Sequence, residues 1–167
     1  MVVRNVMTSN PFTASPDTTI AEALAIMREN GIRRLPVLKN GKLIGIVTKR
    51  RLLEVSPSPA TSLSVFEMNY LLAKTVVKDI MTKDVLTVSP DALLEQAAVL
   101  MADSNIGGLP VMENNKLVGI ITEKDIFQSF VEVLGFRDPG SRISIDYGED
   151  RPGILASLAT LMADMGI

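Results

Sequence analysis

The chain has 167 residues, of which 47% are apolar and 22% charged, so it can bury a core and is not expected to be disordered. It contains no His, Cys or Trp, which excludes an imidazole base, a thiolate nucleophile, a disulfide and the usual zinc ligands. The net charge of −2 argues against non-specific nucleic-acid binding, and no run approaches the roughly 18 apolar residues of a membrane span. We therefore expect a binding or regulatory protein, with no metal, nucleic acid or membrane as a partner.

The beginning of the sequence also bears on the compartment. Residues 1–5 lack the apolar run of a secretory signal. The absence of cysteine gives no sign of an oxidising compartment. On both grounds we expect a cytoplasmic protein.

An internal repeat organises the chain. When the sequence is shifted by 74 residues, residues 3–54 align with residues 77–128 without a gap. Of these 52 aligned pairs, 19 are identical. Because accidental similarity does not extend ungapped over such a length, the sequence predicts two copies of one structural unit.

The first half of each unit predicts a helix. It opens with Ser-Pro-Asp, in which Pro cannot lie inside the helix and Asp17 or Asp91 is a good N-cap. Apolar residues then recur at helical spacing, at Ile20, Leu24 and Met27 in the first unit and at Leu94, Ala98 and Met101 in the second. Asn-Gly at 30–31 and Ser-Asn at 104–105 are expected to end these helices.

The second half of each unit predicts a hairpin and a further helix. Short strands over 35–38 and 109–112 are followed by turns at 40–41 and 114–115. Returning strands over 43–47 and 117–121 lead into helices that begin at Thr48 and Thr122. Each unit is therefore predicted as strand–helix–strand–strand–helix, which is an α/β (α+β) fold.

Residues 56–76 join the two units. Ser64 and Glu67 have the spacing of a capping box, and a helix is predicted from there through about Lys74. We interpret this helix as a spacer rather than as a part of a ligand site.

The duplicated pattern resembles the CBS domain, a small regulatory unit that occurs in tandem pairs. The resemblance covers roughly residues 3–130 and rests on the order of Met-Thr, Ser-Pro-Asp, Leu-Pro-Val and Gly-Ile-Val/Ile-Thr in both copies. It implies two units packed by their sheets about a pseudo-twofold axis, with two clefts between them. It also implies a homodimer and, as a regulatory ligand, AMP, ADP, ATP or S-adenosylmethionine, with no cofactor required.

The nucleotide signature of this family is intact only in the second unit, as Gly119-Ile-Ile-Thr-Glu-Lys-Asp125. At a helix start, the Thr122 hydroxyl and nearby N–H groups can meet a phosphate, and the Asp125 carboxylate can accept hydrogen bonds from a ribose diol. The alternative is that Thr122 only caps the helix and Asp125 only favours its dipole. The resemblance favours ribose binding.

The first unit has Arg51 where the signature has Asp. Arginine cannot accept a hydrogen bond, so we do not expect an equivalent nucleoside site beside Thr48. The cleft is either empty or binds an anion through Thr48 and the basic residues 49–51. A solvated basic turn is an equally good interpretation.

Two further groups of residues are candidates for the ligand site. Arg33 and Arg34 precede the first Leu-Pro-Val, where the second unit has Gly107 and Gly108. The arginines could bind the phosphates, with the glycines leaving room for close approach, although solvated surface arginines are the alternative. By resemblance, the adenine is expected near Met81, Thr82, Val85 and Ile120.

The last residues have a different pattern. Residues 142–147 alternate like a strand, and apolar residues after Pro152 and Gly153 follow helical spacing. This resembles the start of an ACT domain, an amino-acid-sensing unit, with Pro152-Gly153 as a carboxylate-binding turn. A complete ACT domain is longer than residues 141–167, so we expect only its first part here. A CBS pair followed by an ACT-like start resembles the acetoin utilisation proteins, a name that defines no reaction.

These interpretations divide the chain into CBS unit 1 (1–55), a linker with a helix (56–76), CBS unit 2 (77–134), a linker (135–140) and a partial ACT-like domain (141–167). The leading hypothesis is a regulatory module that senses an adenosine compound and signals by a conformational shift. The alternative is a ligand-independent dimerisation scaffold. An enzyme would depend on carboxylates such as Asp146, Glu149 and Asp150 near a turn, and we predict no catalytic residue.

Overall fold

The computed structural model describes residues 1–56, 64, 67, 74–137, 146 and 151–166. The chain divides into two compact units, Met1–Leu134 and Gly135–Ile167, which are treated separately below. Within the described residues, no helix is long and apolar enough to span a membrane.

The first unit contains both repeats, and the longer helices and the hairpin strands of the two repeats correspond one to one. The first repeat consists of α1 (Ile20–Glu29), β2 (Arg34–Lys39), β3 (Lys42–Thr48) and α2 (Lys49–Val55). The second repeat consists of α3 (Leu94–Asp103), β4 (Gly108–Glu113), β5 (Lys116–Thr122) and α4 (Glu123–Val133). A short 3-10 helix begins each repeat, at Val3–Asn5 and Val77–Asp79, and strand β1 spans Thr8–Ser9 of the first repeat. The predicted α/β class, helices and hairpins are confirmed.

The two hairpins form because their turn residues accept a left-handed backbone. Asn40 and Gly41 have φ values of 51° and 76°, and Asn114 and Asn115 have values of 49° and 62°. Two successive residues with positive φ give a turn whose twist matches that of the flanking strands. β2 therefore pairs antiparallel with β3, and β4 with β5, each pair with one register shift.

The repeats exchange their N-terminal segments. Strand β1 pairs antiparallel with β5 of the second repeat, with Thr8 opposite Ile120, and Thr82 pairs in the same way with Ile46 of β3. Further along, each segment returns to its own repeat through parallel bridges between Ala14 and Val37 and between Val88 and Val111. The first strand that the sequence predicts for each repeat is therefore divided between two sheets.

The exchange also builds the two cores. Val3 is fully buried in the core of the second repeat, and its counterpart Val77 is fully buried in the core of the first. The Val3 N–H donates to Ala92 O at 2.9 Å, and the Val77 N–H donates to Thr18 O at 2.8 Å. Since each core contains a valine from the other repeat, neither repeat completes its core alone.

The predicted N-caps Asp17 and Asp91 are wrong. Thr19 caps α1, since the Glu22 N–H donates to Thr19 Oγ1 at 3.2 Å and the Thr19 N–H donates to Glu22 Oε2 at 2.8 Å. Both aspartates lie in the turn before the helix and face the exchanged segment of the other repeat. Asp17 accepts a hydrogen bond from Lys78 Nζ at 2.7 Å, and Asp91 accepts one from Arg4 at 3.1 Å.

The joining segment and the second unit are described only in part. The predicted capping box is confirmed, because the Ser64 N–H and hydroxyl donate to Glu67 Oε2 at 2.8 and 2.7 Å. In the second unit, α5 (Ile154–Asp164) confirms the predicted helix, and it starts after Gly153 with a φ of 93°. Apart from Asp146, the predicted strand over 142–147 lies outside the described residues.

Candidate functional site

The start of α4 presents a carboxylate held by the backbone. Thr122 is the N-cap residue, and its N–H and hydroxyl donate to Asp125 Oδ2 at 2.8 and 2.7 Å. Among the described residues, both hydrogen bonds to this half-buried side chain end on Oδ2. Asp125 Oδ1 is therefore positioned to accept hydrogen bonds from a ligand.

The start of α2 has the opposite chemistry at the same place. Thr48 is again the N-cap, but here its Oγ1 accepts a hydrogen bond from the Arg51 N–H at 3.2 Å. The Arg51 and Arg50 side chains extend along the helix surface to Glu54, at 3.6 and 3.3 Å. This helix start therefore offers donors and cations where α4 offers an acceptor.

Arg34 from the first repeat extends over the two glycines of the second. A Cβ built on Gly108 would lie 3.2 Å from Arg34 Cδ and 3.3 Å from Arg34 Nε. A Cβ on Gly107 would meet an Arg34 guanidinium nitrogen and, at 2.6 Å, Glu123 Oε2. Only residues without a side chain leave this space open, so the glycines allow Arg34 to reach the start of α4.

The environment of Arg34 is unfavourable for its charge. Burial lowers the pKa of the half-buried Arg34 guanidinium, the nearby Glu123 carboxylate opposes this shift, and the neighbouring Arg33 adds to it. Arg33 itself is exposed. Because the Arg34 guanidinium has lost water and the Glu123 carboxylate compensates only in part, Arg34 favours an anionic ligand. Arg34 is therefore a better candidate than Arg33 for binding such a ligand.

The predicted adenine-pocket residues do not all lie at one sheet. Thr82 pairs with Ile46 of β3, and Met81 packs against the core of the first repeat. On β5, Ile120 pairs with Thr8. Val85 lies in the segment between Thr82, which bridges to β3, and Val88, which bridges to β4. On the β5 side, Met7 and Thr8 contact the strand at Gly119, and the sequence analysis did not name them as candidates. The repeat alone gives no signal for this, because an exchange of segments leaves the aligned residues unchanged.

Pro152 and Gly153, the predicted ACT-like turn, lie exposed at the start of α5 in the second unit. The Ser157 N–H and hydroxyl both donate to Gly153 O, at 2.9 and 3.1 Å. These bonds belong to the first turn of the helix.

Taken together, the start of α4 offers a free carboxylate oxygen, a helix N-terminus and a partly buried cation from the other repeat. This set can hold a diol and an anion. Among the described residues, no group of three or more Asp or Glu is arranged to hold a metal ion.

The sequence matches the CBS domain family model twice, over residues 3–58 and 77–132. The chain is 34% identical over 136 residues to a CBS domain-containing protein of Dictyostelium discoideum, a match that covers 80% of this chain and 94% of that protein. It is 37% identical over 145 residues to inosine-5′-monophosphate dehydrogenase of Korarchaeum cryptofilum, but spans only 26% of that enzyme. The chain belongs to the CBS domain family and carries a tandem CBS pair.

Solved structures of CBS pairs have the same fold. An acetoin utilization protein (AcuB) of Vibrio cholerae superposes with a TM-score of 0.67 at 31% identity, covering 85% of this chain and 98% of that one. The CBS pair of protein MJ0100, in complex with 5′-methylthioadenosine and S-adenosyl-L-methionine, has a TM-score of 0.66 at 28% identity, covering 80% and 98%. CBSX2 of Arabidopsis thaliana, in complex with AMP, has a TM-score of 0.66 at 29% identity with the same coverage. Proteins similar to this chain therefore bind adenosine ligands.

Proposed function

We propose that the chain is a regulatory module that binds one adenosine compound beside the second repeat and signals through a change in the arrangement of the two repeats. The observation that carries the proposal is the Asp125 carboxylate, which Thr122 holds through Oδ2 while Oδ1 stays available. The ligands of MJ0100 and CBSX2 support the adenosine class.

The binding mode follows from the chemistry of each group. Asp125 Oδ1 accepts hydrogen bonds from the ribose 2′- and 3′-hydroxyls, and Thr122 and Arg34 meet the charged 5′ substituent. The exposed Arg33 adds a longer-range attraction. The adenine lies against Val85 and Ile120, with Met81, Thr82 and Thr8 as further candidates. Thr48 and Arg51 form no equivalent nucleoside site.

The exchanged segments offer a route for the signal. Thr8 lies on β5, next to the proposed site, while the chain before it buries Val3 in the core of the second repeat. A ligand that binds one arrangement of the repeats more tightly shifts the population toward that arrangement. No catalytic residue and no cofactor are part of this proposal.

Calorimetric titration of the unmodified chain with AMP, ADP, ATP, S-adenosylmethionine and 5′-methylthioadenosine tests the proposal. We expect saturable binding of at least one of these with one molecule per chain. A bound ligand at about 100 times its Kd also stabilises the chain by about 2.7 kcal/mol, which raises the thermal midpoint. If none of the five produces heat or raises the midpoint, the proposal is wrong.

A ligand-independent dimerisation scaffold is the second candidate, and the surface of α4 favours it. Phe127, Phe130 and Val133 are 73%, 54% and 68% exposed. An apolar groove of about 160 Å³ between α3 and α4 adjoins Phe130 and Val133. Exposed apolar surface of this kind is typical of interfaces, so we propose a homodimer. Light scattering tests whether the chain is a dimer. If the chain is only a scaffold, its thermal midpoint should not change when any of the adenosine compounds is added.

For the C-terminal unit, Gly135–Ile167, we propose an ACT-like role in binding an amino acid. We also propose that the chain is a cytoplasmic protein related to AcuB. The support is the helix α5 after the Pro152-Gly153 turn. A titration of the chain with the common amino acids tests this role, and the absence of heat from all of them would contradict it.

A further inference from the structure

Two opposite charges border the space over Gly107. Glu123 Oε2 and an Arg34 guanidinium nitrogen both approach the position that a Gly107 Cβ would occupy. Within the described part of the chain, neither group takes part in a salt bridge. A cation from the first repeat and an anion from the second therefore lie side by side without neutralising each other through direct contact.

This pair adjoins the proposed ligand site. Glu123 is the first residue of α4, directly after Thr122 and two residues before Asp125. Arg34 is the first residue of β2 and reaches the same place across the glycines. A nucleoside that Asp125 holds by its ribose would extend its 5′ substituent into the field of both charges.

The charges discriminate between classes of 5′ substituent. A triphosphate brings several negative charges toward Glu123. Arg34, which reaches the space beside Glu123, offsets only part of that repulsion, and the exposed Arg33 acts only at longer range. The 5′ substituent of S-adenosylmethionine carries a carboxylate, an ammonium and a sulfonium group, and its net charge is therefore positive. The planar Arg34 guanidinium matches the carboxylate, and Glu123 matches the ammonium.

We infer that the site selects an adenosine ligand whose 5′ substituent is an amino acid linked through a cationic sulfonium, as in S-adenosylmethionine, over adenosine phosphates, and that Glu123 sets this preference. The inference rests on the proposed function, because it needs an adenosine at Asp125. It adds the charge class of the ligand and a specificity residue.

Calorimetric titrations of the unmodified chain and of Glu123→Gln test the inference. The ligands are S-adenosylmethionine, AMP, ATP and 5′-methylthioadenosine, which keeps the nucleoside but has no charged substituent. Lys124→Gln is the matched control, because it removes an exposed charge from the same helical turn. Thermal midpoints of both variants establish that they are folded.

In the unmodified chain we expect S-adenosylmethionine to bind more tightly than AMP, and AMP more tightly than ATP. Glu123→Gln should weaken S-adenosylmethionine by about tenfold, the typical effect of losing one hydrogen bond to a charged group, and should strengthen ATP. The affinity of 5′-methylthioadenosine should stay within about twofold in both variants, since it has no charge for Glu123 to meet.

Other outcomes overturn the inference in distinguishable ways. If 5′-methylthioadenosine binds but ATP is preferred to S-adenosylmethionine, or if Glu123→Gln changes all four ligands alike, the charge selection is wrong and the adenosine site stands. If none of the four binds, and ADP does not bind either, the proposed function itself fails. A Lys124→Gln variant that reproduces the Glu123→Gln pattern would also contradict a specific role for Glu123.

Discussion

The two repeats share a backbone but differ in charge at the start of their last helix. In the second repeat, the Thr122 N–H and hydroxyl donate to the Asp125 carboxylate. In the first, the Thr48 hydroxyl accepts from the Arg51 N–H, and the Arg51 side chain turns to Glu54. Duplication has preserved the core and the turns, whereas the charge at this helix start differs between the repeats. This difference is the reason that we propose one adenosine site rather than two.

The largest expected effect comes from Asp125→Ala. Removing hydrogen bonds from a carboxylate to two ribose hydroxyls costs about 1.5–3 kcal/mol for each bond, so the affinity for 5′-methylthioadenosine should fall by at least about 100-fold. Calorimetry measures this, well below the thermal midpoint, because Asp125 also caps α4. Arg51→Ala is the matched variant of the first repeat and should leave the affinity unchanged. Equal losses in both variants would contradict the difference between the repeats.

Gly107→Ala should have the next largest effect. The added Cβ would collide with Arg34 and Glu123, so both charges would have to move. We expect the preference among charged adenosine ligands to fall by about tenfold or more, as judged from contacts between charged groups. The affinity for the uncharged 5′-methylthioadenosine should change little. An unchanged ratio of the S-adenosylmethionine and ATP affinities would show that the space over Gly107 does not matter.

Glu123→Gln, described above, should have a comparable effect on ligand preference without changing the shape of the site.

Arg51→Asp should make the first repeat more like the second in stability but not in binding. An acidic residue in the first turn favours the helix dipole and can accept from Thr48, so we expect a gain of about 0.5–1 kcal/mol in urea unfolding. The number of adenosine molecules bound should stay at one per chain. The reason is that the repeat symmetry places Gly108 where the first cleft would need an arginine. A second bound molecule would mean that the carboxylate alone defines a site.

The smallest expected effect is on the pH dependence of stability, through an ion pair between the exchanged segment of the second repeat and the first repeat. Lys78 lowers the pKa of Asp17, first through its hydrogen bond and then through its charge. The pair therefore stabilises the fold above the ordinary Asp value of 3.8, and this contribution is lost as the pH falls through the lower folded pKa. Lys78→Ala should slightly reduce the dependence of the thermal midpoint on pH in this acidic range. Because the Lys78–Asp17 pair is exposed, the difference between Lys78→Ala and the unmodified chain should be smaller in high salt.

The sequence predicted the local structure well because that structure depends on local physics. Asn40-Gly41 and the helical spacing from Ile20 to Met27 specify a turn and a helix without help from distant residues. The capping of α1 was predicted wrongly, because Asp17 and Thr19 are both good N-caps and the choice depends on Lys78 from the other repeat. The pairing of Thr8 with Ile120 and the reach of Arg34 to Glu123 depend on the packing of one repeat on the other. The position of these contacts could not be derived from either repeat alone.

A crystal structure of the chain with 5′-methylthioadenosine bound would test most directly whether there is one adenosine site. We expect one molecule per chain, with its ribose hydroxyls within hydrogen-bond distance of Asp125 Oδ1. A molecule beside Thr48 and Arg51, or one beside each repeat, would contradict this expectation.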